Sequence, residues 1–470
     1  MSTKRREFLK LTGLAGLGVA GTGILNGFAK GDEKSSTTEL PRQFQKKRFN
    51  MSGYCAPKLD TVRVGFIGLG RRGPGHAIEI SKIEGTSIAA LCDIRPELVH
   101  ATKEKVSDHN PTLYSGDENA WKRLCEQKDI DLVYVATPWH LHAPMALYAM
   151  EQGKHVAIEV PGVITMDECW QLVETSERTR KHCMYLENCC YDFFELLTLN
   201  MARQNYFGEI VHAEGAYIHD LLELNFNKNY YWNMWRLKEN MRKGNLYPGH
   251  GLGPVAQILN INRGDKMNSL VSMSSDDFMM GAKAKELAAT DDFFKPYANK
   301  TYRGNMNTSI IRTNNGKTIM LQHDVTSPRI YSRLHLISGT KGAAQKYPLP
   351  GRISTGHSDW LSEKEMKAIE LKYEPQIVKK IGELAKKIGG HDGIDFLMNW
   401  RLIDCLRNGL PLDIDVYDTA AWSAIGPLSE KSVAKGSSPI EIPDFTNGAW
   451  KTNKPVDILL EKGGNTKIKI

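Results

Sequence analysis

The chain has 470 residues, 41% of them hydrophobic, enough to bury a large core divided between two domains. Its 61 basic residues are interspersed with 54 acidic ones for a formal charge of +7, and no basic stripe argues for nucleic acid. The eight cysteines form no CxxC pair and no metal-ligand spacing, which argues against a disulfide framework or a zinc site, and no metal is expected.

At the N-terminus, Arg5 and Arg6 stand before Phe8, Leu9 and Lys10, and an uncharged run follows from Leu11 to Ala29. The run is too rich in glycine to read as a membrane span. Residues 1–30 match a bacterial twin-arginine signal, the alternative being an ordinary basic N-terminus. No cysteine follows closely, so no stable membrane anchor is expected, and export by this route implies a periplasmic protein. Residues 31–56 are polar and aperiodic, a linker and arm.

"TVRVGFIGLG" (61–70) is a β-branched run ending in glycines, the pattern of a buried parallel strand. A helix is expected from Gly73, a second strand over "TSIAALCDI", and a helix from Pro96 toward Lys105. "DLVYVATP" is another buried strand and "APMALYAMEQG" a helix. "KHVAIEV" and "HCMYLEN" are strands flanking a helix at about 166–180. This alternation predicts a doubly wound parallel sheet of the Rossmann type over 57–188. From Ile210 the segments become longer and alternating, with turn chemistry at Asn314-Asn315-Gly316. They predict an α/β second domain over 189–455 with a large open, mostly antiparallel sheet, whose free face can receive the first domain or a second copy. "GIDFLMNWRLIDCLRNG" (393–409) is a last helix, and 456–470 a C-terminal tail.

Gly68, Gly70 and Gly73 form G-x-G-x-x-G between a strand and a helix. Asp93 ends the second strand about 25 residues on, where a carboxylate can accept both ribose hydroxyls. NAD is favoured over NADP, although Arg95 nearby could take a 2′-phosphate. Arg71 and Arg72 are placed to neutralise the pyrophosphate, unless one of them points into water. The loop carrying Trp139, His140, Leu141 and His142 leaves a strand at its carboxyl end and is expected along the dinucleotide. Glu159 and Val160 lie beside the cofactor on the next strand. Asn188 is placed for the nicotinamide end or is a simple turn residue.

Taken together, "VRVGFIGLGRRG", "TPWHLH", "KHVAIEVP" and the last helix resemble the Gfo/Idh/MocA oxidoreductases over roughly residues 60–430. In those enzymes a Glu-Lys-Pro lysine assists proton transfer, and an Asp stands four residues before a His. Here the two positions hold Val160 and Leu246, while His250 is present. The block "GNLYPGHGLGP", with "LENCCY", "GAYIHD" and "WNMWRLKEN", is similar instead to glycoside hydrolase family 109, the NAD-dependent α-N-acetylgalactosaminidases. That family shares the export signal and Glu-Val-Pro, but usually reads Tyr-Pro-Thr-His where this chain has Tyr247-Pro248-Gly249-His250.

The resemblance implies a glycan substrate with terminal N-acetylgalactosamine. It also implies a cycle of C3 oxidation, elimination, water addition and reduction, with retention and no net redox. Tyr217, Arg236, Tyr247, Pro248, Gly249 and His250 would match substrate contacts, and Tyr331 is a further candidate. By residue chemistry, His250 and Tyr247 share the acid/base work, and which of them removes the C2 hydrogen is open. The plainer alternatives are a buried structural histidine and a core aromatic residue. Trp232 and Trp235 suit either sugar contact or domain packing. Two competing functions are a periplasmic sugar dehydrogenase with net electron transfer and a catalytically silent sugar-binding protein.

Overall fold

The computed structural model describes residues 48–457 and 460–469, so the expected signal and most of the linker lie outside the described residues. The first sheet holds β1 (Val62–Ile67), β2 (Thr86–Cys92), β3 (Thr112–Tyr114), β4 (Leu132–Val135), β5 (His155–Ile158) and β6 (Cys183–Tyr185). Every pairing is parallel, in the order β3-β2-β1-β4-β5-β6. β4 and β5 are wholly buried, which is why they read as unbroken apolar runs. The covering helices follow the sequence signals. Pro96 opens Pro96–Lys105, and a Thr165–Glu168 capping box opens Met166–Thr179. β3 and the helix Ala120–Glu126 were not foreseen, because a three-residue, partly exposed edge strand carries no clear period.

The second sheet holds β7 (Ile210–Ile218), β8 (Met267–Ser274), β9 (Met306–Thr313), β10 (Thr318–Asp324), β11 (Ser332–Gly339), β12 (Ala343–Gln345), β13 (Arg352–Ser354) and β14 (Ile440–Glu441). Its order is β13-β12-β11-β7-β10-β9-β8-β14, antiparallel except where β10 pairs with β7. Alternation along β8 and β9 buries Leu270 and Ile311 and leaves Val271, Met273 and Ile310 exposed on the open face. The helix Gly249–Ile258 lies against β7 at very short range. A Cβ on Gly215 would fall 2.3 Å from the Gly251 carbonyl oxygen, so two facing glycines set this approach.

The last predicted helix forms as Ile394–Asn408, with Gly409 in the left-handed region (φ 61°). It returns to the first sheet. Asn399 accepts from the Tyr134 hydroxyl at 3.2 Å and donates to Glu79 at 2.7 Å. The C-terminal segment is fastened rather than loose. Trp400 donates to the Thr466 carbonyl at 3.0 Å, and Asp404 accepts from the Gly464 N–H at 2.7 Å and the Thr466 hydroxyl at 2.8 Å. All eight cysteines are unpaired thiols, and among the described residues no helix is long and apolar enough to cross a membrane.

Candidate active site

The glycine turn closes the carboxyl end of β1. Gly68 has φ 93°, and a Cβ on Gly73 would fall 2.0 Å from the Gly68 carbonyl oxygen, so both positions demand glycine. At Gly70 the space is open apart from the Arg95 guanidinium, 3.4 Å from where a Cβ would stand, which leaves the backbone free to face a pyrophosphate. Asp93 anchors this turn. Its carboxylate accepts the Leu69 N–H at 2.8 Å and the Arg95 N–H at 3.0 Å, and it pairs with the Arg95 guanidinium at 3.2 Å. Arg95 is thereby held by Asp93 instead of standing ready for a 2′-phosphate. These residues fit a dinucleotide.

The two loop arginines take different settings, Arg71 exposed and Arg72 partly buried. Arg71 lies over the ring of Tyr230, 4.1 Å from its centroid, and Arg95 lies over Trp232 at 5.4 Å. Residues from the second domain thus cover the dinucleotide loop. Arg72 turns inward and pairs with Glu159 at 3.1 Å and Asp395 at 2.9 Å. It therefore braces the fold beneath the cofactor loop. Glu159 also accepts from His76 at 2.8 Å, and its second oxygen takes the Val160 N–H at 3.0 Å. Burial favours protonation of Glu159, but Arg72 and His76 outweigh it and hold the carboxyl down at about 2.

In the loop after β4 the four side chains take different settings. His142 is fully buried with its ring nitrogens 2.7 Å from the Gly162 carbonyl and 2.8 Å from the Thr137 carbonyl. Its side chain ties the β4 loop to the Glu-Val-Pro turn and has no free edge for a cofactor. His140 is exposed, with Glu239 at 3.7 Å, and Leu141 packs against the core. Trp139 turns toward the second domain, 5.4 Å from Trp235 and 5.7 Å from Tyr247. Asn188 is buried and donates to Asp395 at 2.6 Å.

Beyond Trp139 the aromatic and imidazole side chains converge. Tyr217 on β7 lies 4.5 Å from Tyr247 and 5.2 Å from His250, ring to ring, and Tyr247 meets His250 edge-on at 5.0 Å. Arg236 covers the Tyr247 ring at 5.1 Å and donates to the Tyr231 hydroxyl at 3.0 Å. Tyr331 joins through His219, whose ring is 5.1 Å away and whose Nδ1 is 3.1 Å from the Tyr217 hydroxyl. Pro248 and Gly249 do not form a free loop. Pro248 caps the helix Gly249–Ile258, and His250 stands in its first turn. Leu246, at the position of the oxidoreductase Asp, is buried among apolar side chains. Burial, reinforced by Tyr217, holds the Tyr247 phenol well above the ordinary range, so it stays protonated near neutrality.

Comparison with known proteins decides the family. Residues 191–452 match the family described as glycosyl hydrolase 109, C-terminal domain. Residues 62–187 match the oxidoreductase family with an NAD-binding Rossmann fold. The chain belongs to glycosyl hydrolase family 109. It is 51% identical over 408 residues to a protein of Bacteroides fragilis named alpha-N-acetylgalactosaminidase, covering 85% of this chain and 95% of that one. A family 109 protein of Shewanella pealeana is 43% identical over 98% of this chain and 100% of its own length. In fold it resembles levoglucosan dehydrogenase in complex with NADH and levoglucosan, with a TM-score of 0.61 at 16% identity over 82% of this chain and 100% of that one.

This family 109 member is therefore a glycosidase that binds NAD and acts on a glycan. Sequence reasoning passed over Glu187, 2.6 Å from His250 Nδ1, and His219, although both lie inside segments quoted for the resemblance. It also passed over His76 and Asp395, the partners of Glu159 and Arg72. No spacing rule links residues so far apart in the chain.

Proposed function

We propose that this family 109 enzyme releases terminal α-linked N-acetylgalactosamine by borrowing hydride chemistry for hydrolysis, without net redox. One observation carries the reading. Proton-exchanging groups, Tyr247 and His250, converge with Tyr217 and Arg236 beside Trp139 of the β4 loop, while the nearby buried carboxylates are already paired. Glu187 is taken by His250, and Glu159 by Arg72 and His76. An ordinary glycosidase needs two opposed carboxylates at the glycosidic bond. The name of the Bacteroides fragilis relative supports the sugar.

Gly68, Gly70, Gly73 and Asp93 would hold NAD, with Glu159 and Val160 beside it. When bound, it supplies a reversible hydride acceptor at C3 of the sugar, which makes the C2 hydrogen acidic. His250 has Nδ1 occupied by Glu187, so Nε2 is the atom that takes and returns the C2 proton. Tyr247, a neutral phenol, donates a hydrogen bond to the oxygen on which charge develops. Arg236 and Tyr217 orient hydroxyl and acetamido groups, and Tyr331 closes the same wall. We further take residues 1–30 as a twin-arginine signal and the mature enzyme as periplasmic, on the Arg5-Arg6 pattern; cell fractionation tests this.

The deciding experiment incubates NAD-loaded enzyme with 4-nitrophenyl α-N-acetylgalactosaminide in deuterated water. Nitrophenol release, no lasting NADH and deuterium at C2 are expected. Accumulating NADH would replace the reading with a sugar dehydrogenase. Inertness toward glycosides would favour a binding protein.

A further inference from the structure

Behind His250 lies a carboxylate that the chemistry above does not use as a reactant. Glu187 is fully buried, its Oε1 2.6 Å from His250 Nδ1 and accepting the Cys189 N–H at 3.2 Å. Its other oxygen, Oε2, is buried without a hydrogen-bond partner, and so is the hydroxyl of Tyr185, two residues earlier on β6. Leaving a buried acceptor unmatched is costly, because its lost hydration is not replaced. Native folds keep such groups mainly where function requires them.

Both unmatched oxygens face the same point, the missing side chain of Gly249. A Cβ there would fall 2.3 Å from the Tyr185 hydroxyl oxygen and 2.4 Å from Glu187 Oε2. No side chain fits at position 249 while the Tyr185 hydroxyl and the Glu187 carboxylate stand where they do. Burial, then the Glu187 charge, holds the Tyr185 phenol well above its usual range, so it stays protonated beside the carboxylate.

We propose that Glu187 is the positioning residue of His250, holding the ring through Nδ1 with Nε2 toward the substrate, and that Gly249 is required here because the Tyr185 hydroxyl and Glu187 Oε2 take the space a side chain would need. The inference rests on His250 exchanging protons in the proposed reaction. A cation is the competing organiser, since Glu187, Cys189 and His250 offer ligand atoms within 4.8 Å of one another. The Cys189 thiol, however, donates to Asn188 Oδ1 at 3.4 Å, and burial keeps it protonated. Hydrogen bonds thus already engage His250 Nδ1, Glu187 Oε1 and the Cys189 thiol, the atoms a cation would need.

The test uses the NAD-loaded, full-length enzyme with 4-nitrophenyl α-N-acetylgalactosaminide and nitrogen-15 NMR of the histidine rings. Glu187→Gln is expected to lower kcat about 10–100-fold with KM nearly unchanged, the scale seen when an outer partner of a working histidine is removed. Glu187→Asp recovers part of the loss. The low-field signal of a hydrogen-bonded Nδ1–H, assigned by its absence in His250→Gln, disappears in Glu187→Gln while bound NAD is unchanged. Gly249→Thr is expected to be inactive, and adding Tyr185→Leu restores at least about tenfold.

Wild-type kcat in Glu187→Gln, or an unchanged ring signal, would overturn the positioning role. An active Gly249→Thr enzyme with Tyr185 in place would overturn the pairing. Inactivation by EDTA with recovery on zinc or manganese would overturn both in favour of a metal. Should Glu187→Gln not fold, the wild-type ring signal and Glu187→Asp decide. If the wild type does not cleave the glycoside, the proposed function fails, while the ring signal still reads the Glu187–His250 contact.

Discussion

Raising the pH from 6 to 10 is expected to strip stability from the first domain through one residue, His76. Burial and the Arg72 charge push this imidazole down, but the carboxylates of Glu159 at 2.8 Å and Glu79 at 3.7 Å outweigh them and raise it to about 9 from the ordinary 6.5. A raised cationic group stabilises the fold fully below its unfolded value, and the gain is lost as pH rises through the folded value. The difference corresponds to about 3 kcal/mol below pH 6.5, falling to about half that near pH 8 and to nearly nothing by pH 10. In a chain of this size the unfolding entropy scales to about 0.9 kcal/mol per kelvin, so the loss reads as roughly 3–4 °C in Tm.

The assay compares Tm of the wild type and His76→Gln from pH 6 to 10. Glutamine can keep a hydrogen bond to Glu159 but does not titrate, so other ionisations cancel in the difference. The wild-type advantage should shrink steadily with pH. An advantage independent of pH, or one that grows, would refute the ion-network reasoning. At the acid end Glu159 contributes the opposite limb. Its carboxyl is held at about 2, so its stabilisation is present above 4.5 and lost as pH falls through 2.

Three other outcomes are expected. Tyr247→Phe and His250→Gln should each lower kcat by about 10²–10⁴-fold with bound NAD intact, the range of a lost acid/base group, and a variant above a tenth of wild-type kcat would remove that residue from the role. Trp232→Ala should quicken NAD release about 2–5-fold, because it removes the ring under Arg95 at the cofactor loop; NAD per chain after gel filtration measures this. Arg263→Ala should destabilise the fold by about 3–5 kcal/mol in thermal unfolding, since it leaves Asp415 and Asp418, 2.8 and 2.6 Å from the guanidinium, buried and unpaired.

The Rossmann half was legible because its strands are short apolar runs punctuated by glycine and proline. The predicted helix from Pro96 to Lys105 forms over that span, and the helix predicted at about 166–180 forms as Met166–Thr179. β3 was not legible, being three residues at a sheet edge. In the second domain, alternation revealed strands but not their order, since β10 pairs with β7 across a hundred residues. In the site, Tyr217, Arg236, Tyr247 and His250 were named from the family pattern, and they do come together. The internal partners of Arg72 and His142 were not legible, because a residue's neighbours in sequence do not disclose where its side chain is satisfied. Arg72 found Asp395 more than three hundred residues away, and His142 found two backbone carbonyls.

The sequence by itself determined the class of chemistry. A glycine turn with Asp93 at the right distance admits a dinucleotide, and Val160 with Tyr247-Pro248-Gly249-His250 separates this chain from the oxidoreductases that share its fold. Only the tertiary structure decided what serves His250 and why position 249 holds glycine. Local patterns report backbone geometry and burial, which act over a few residues. The Glu187 contact and the room claimed by Tyr185 depend on β6 meeting the Gly249–Ile258 helix, an encounter between segments far apart in the chain that packing alone arranges.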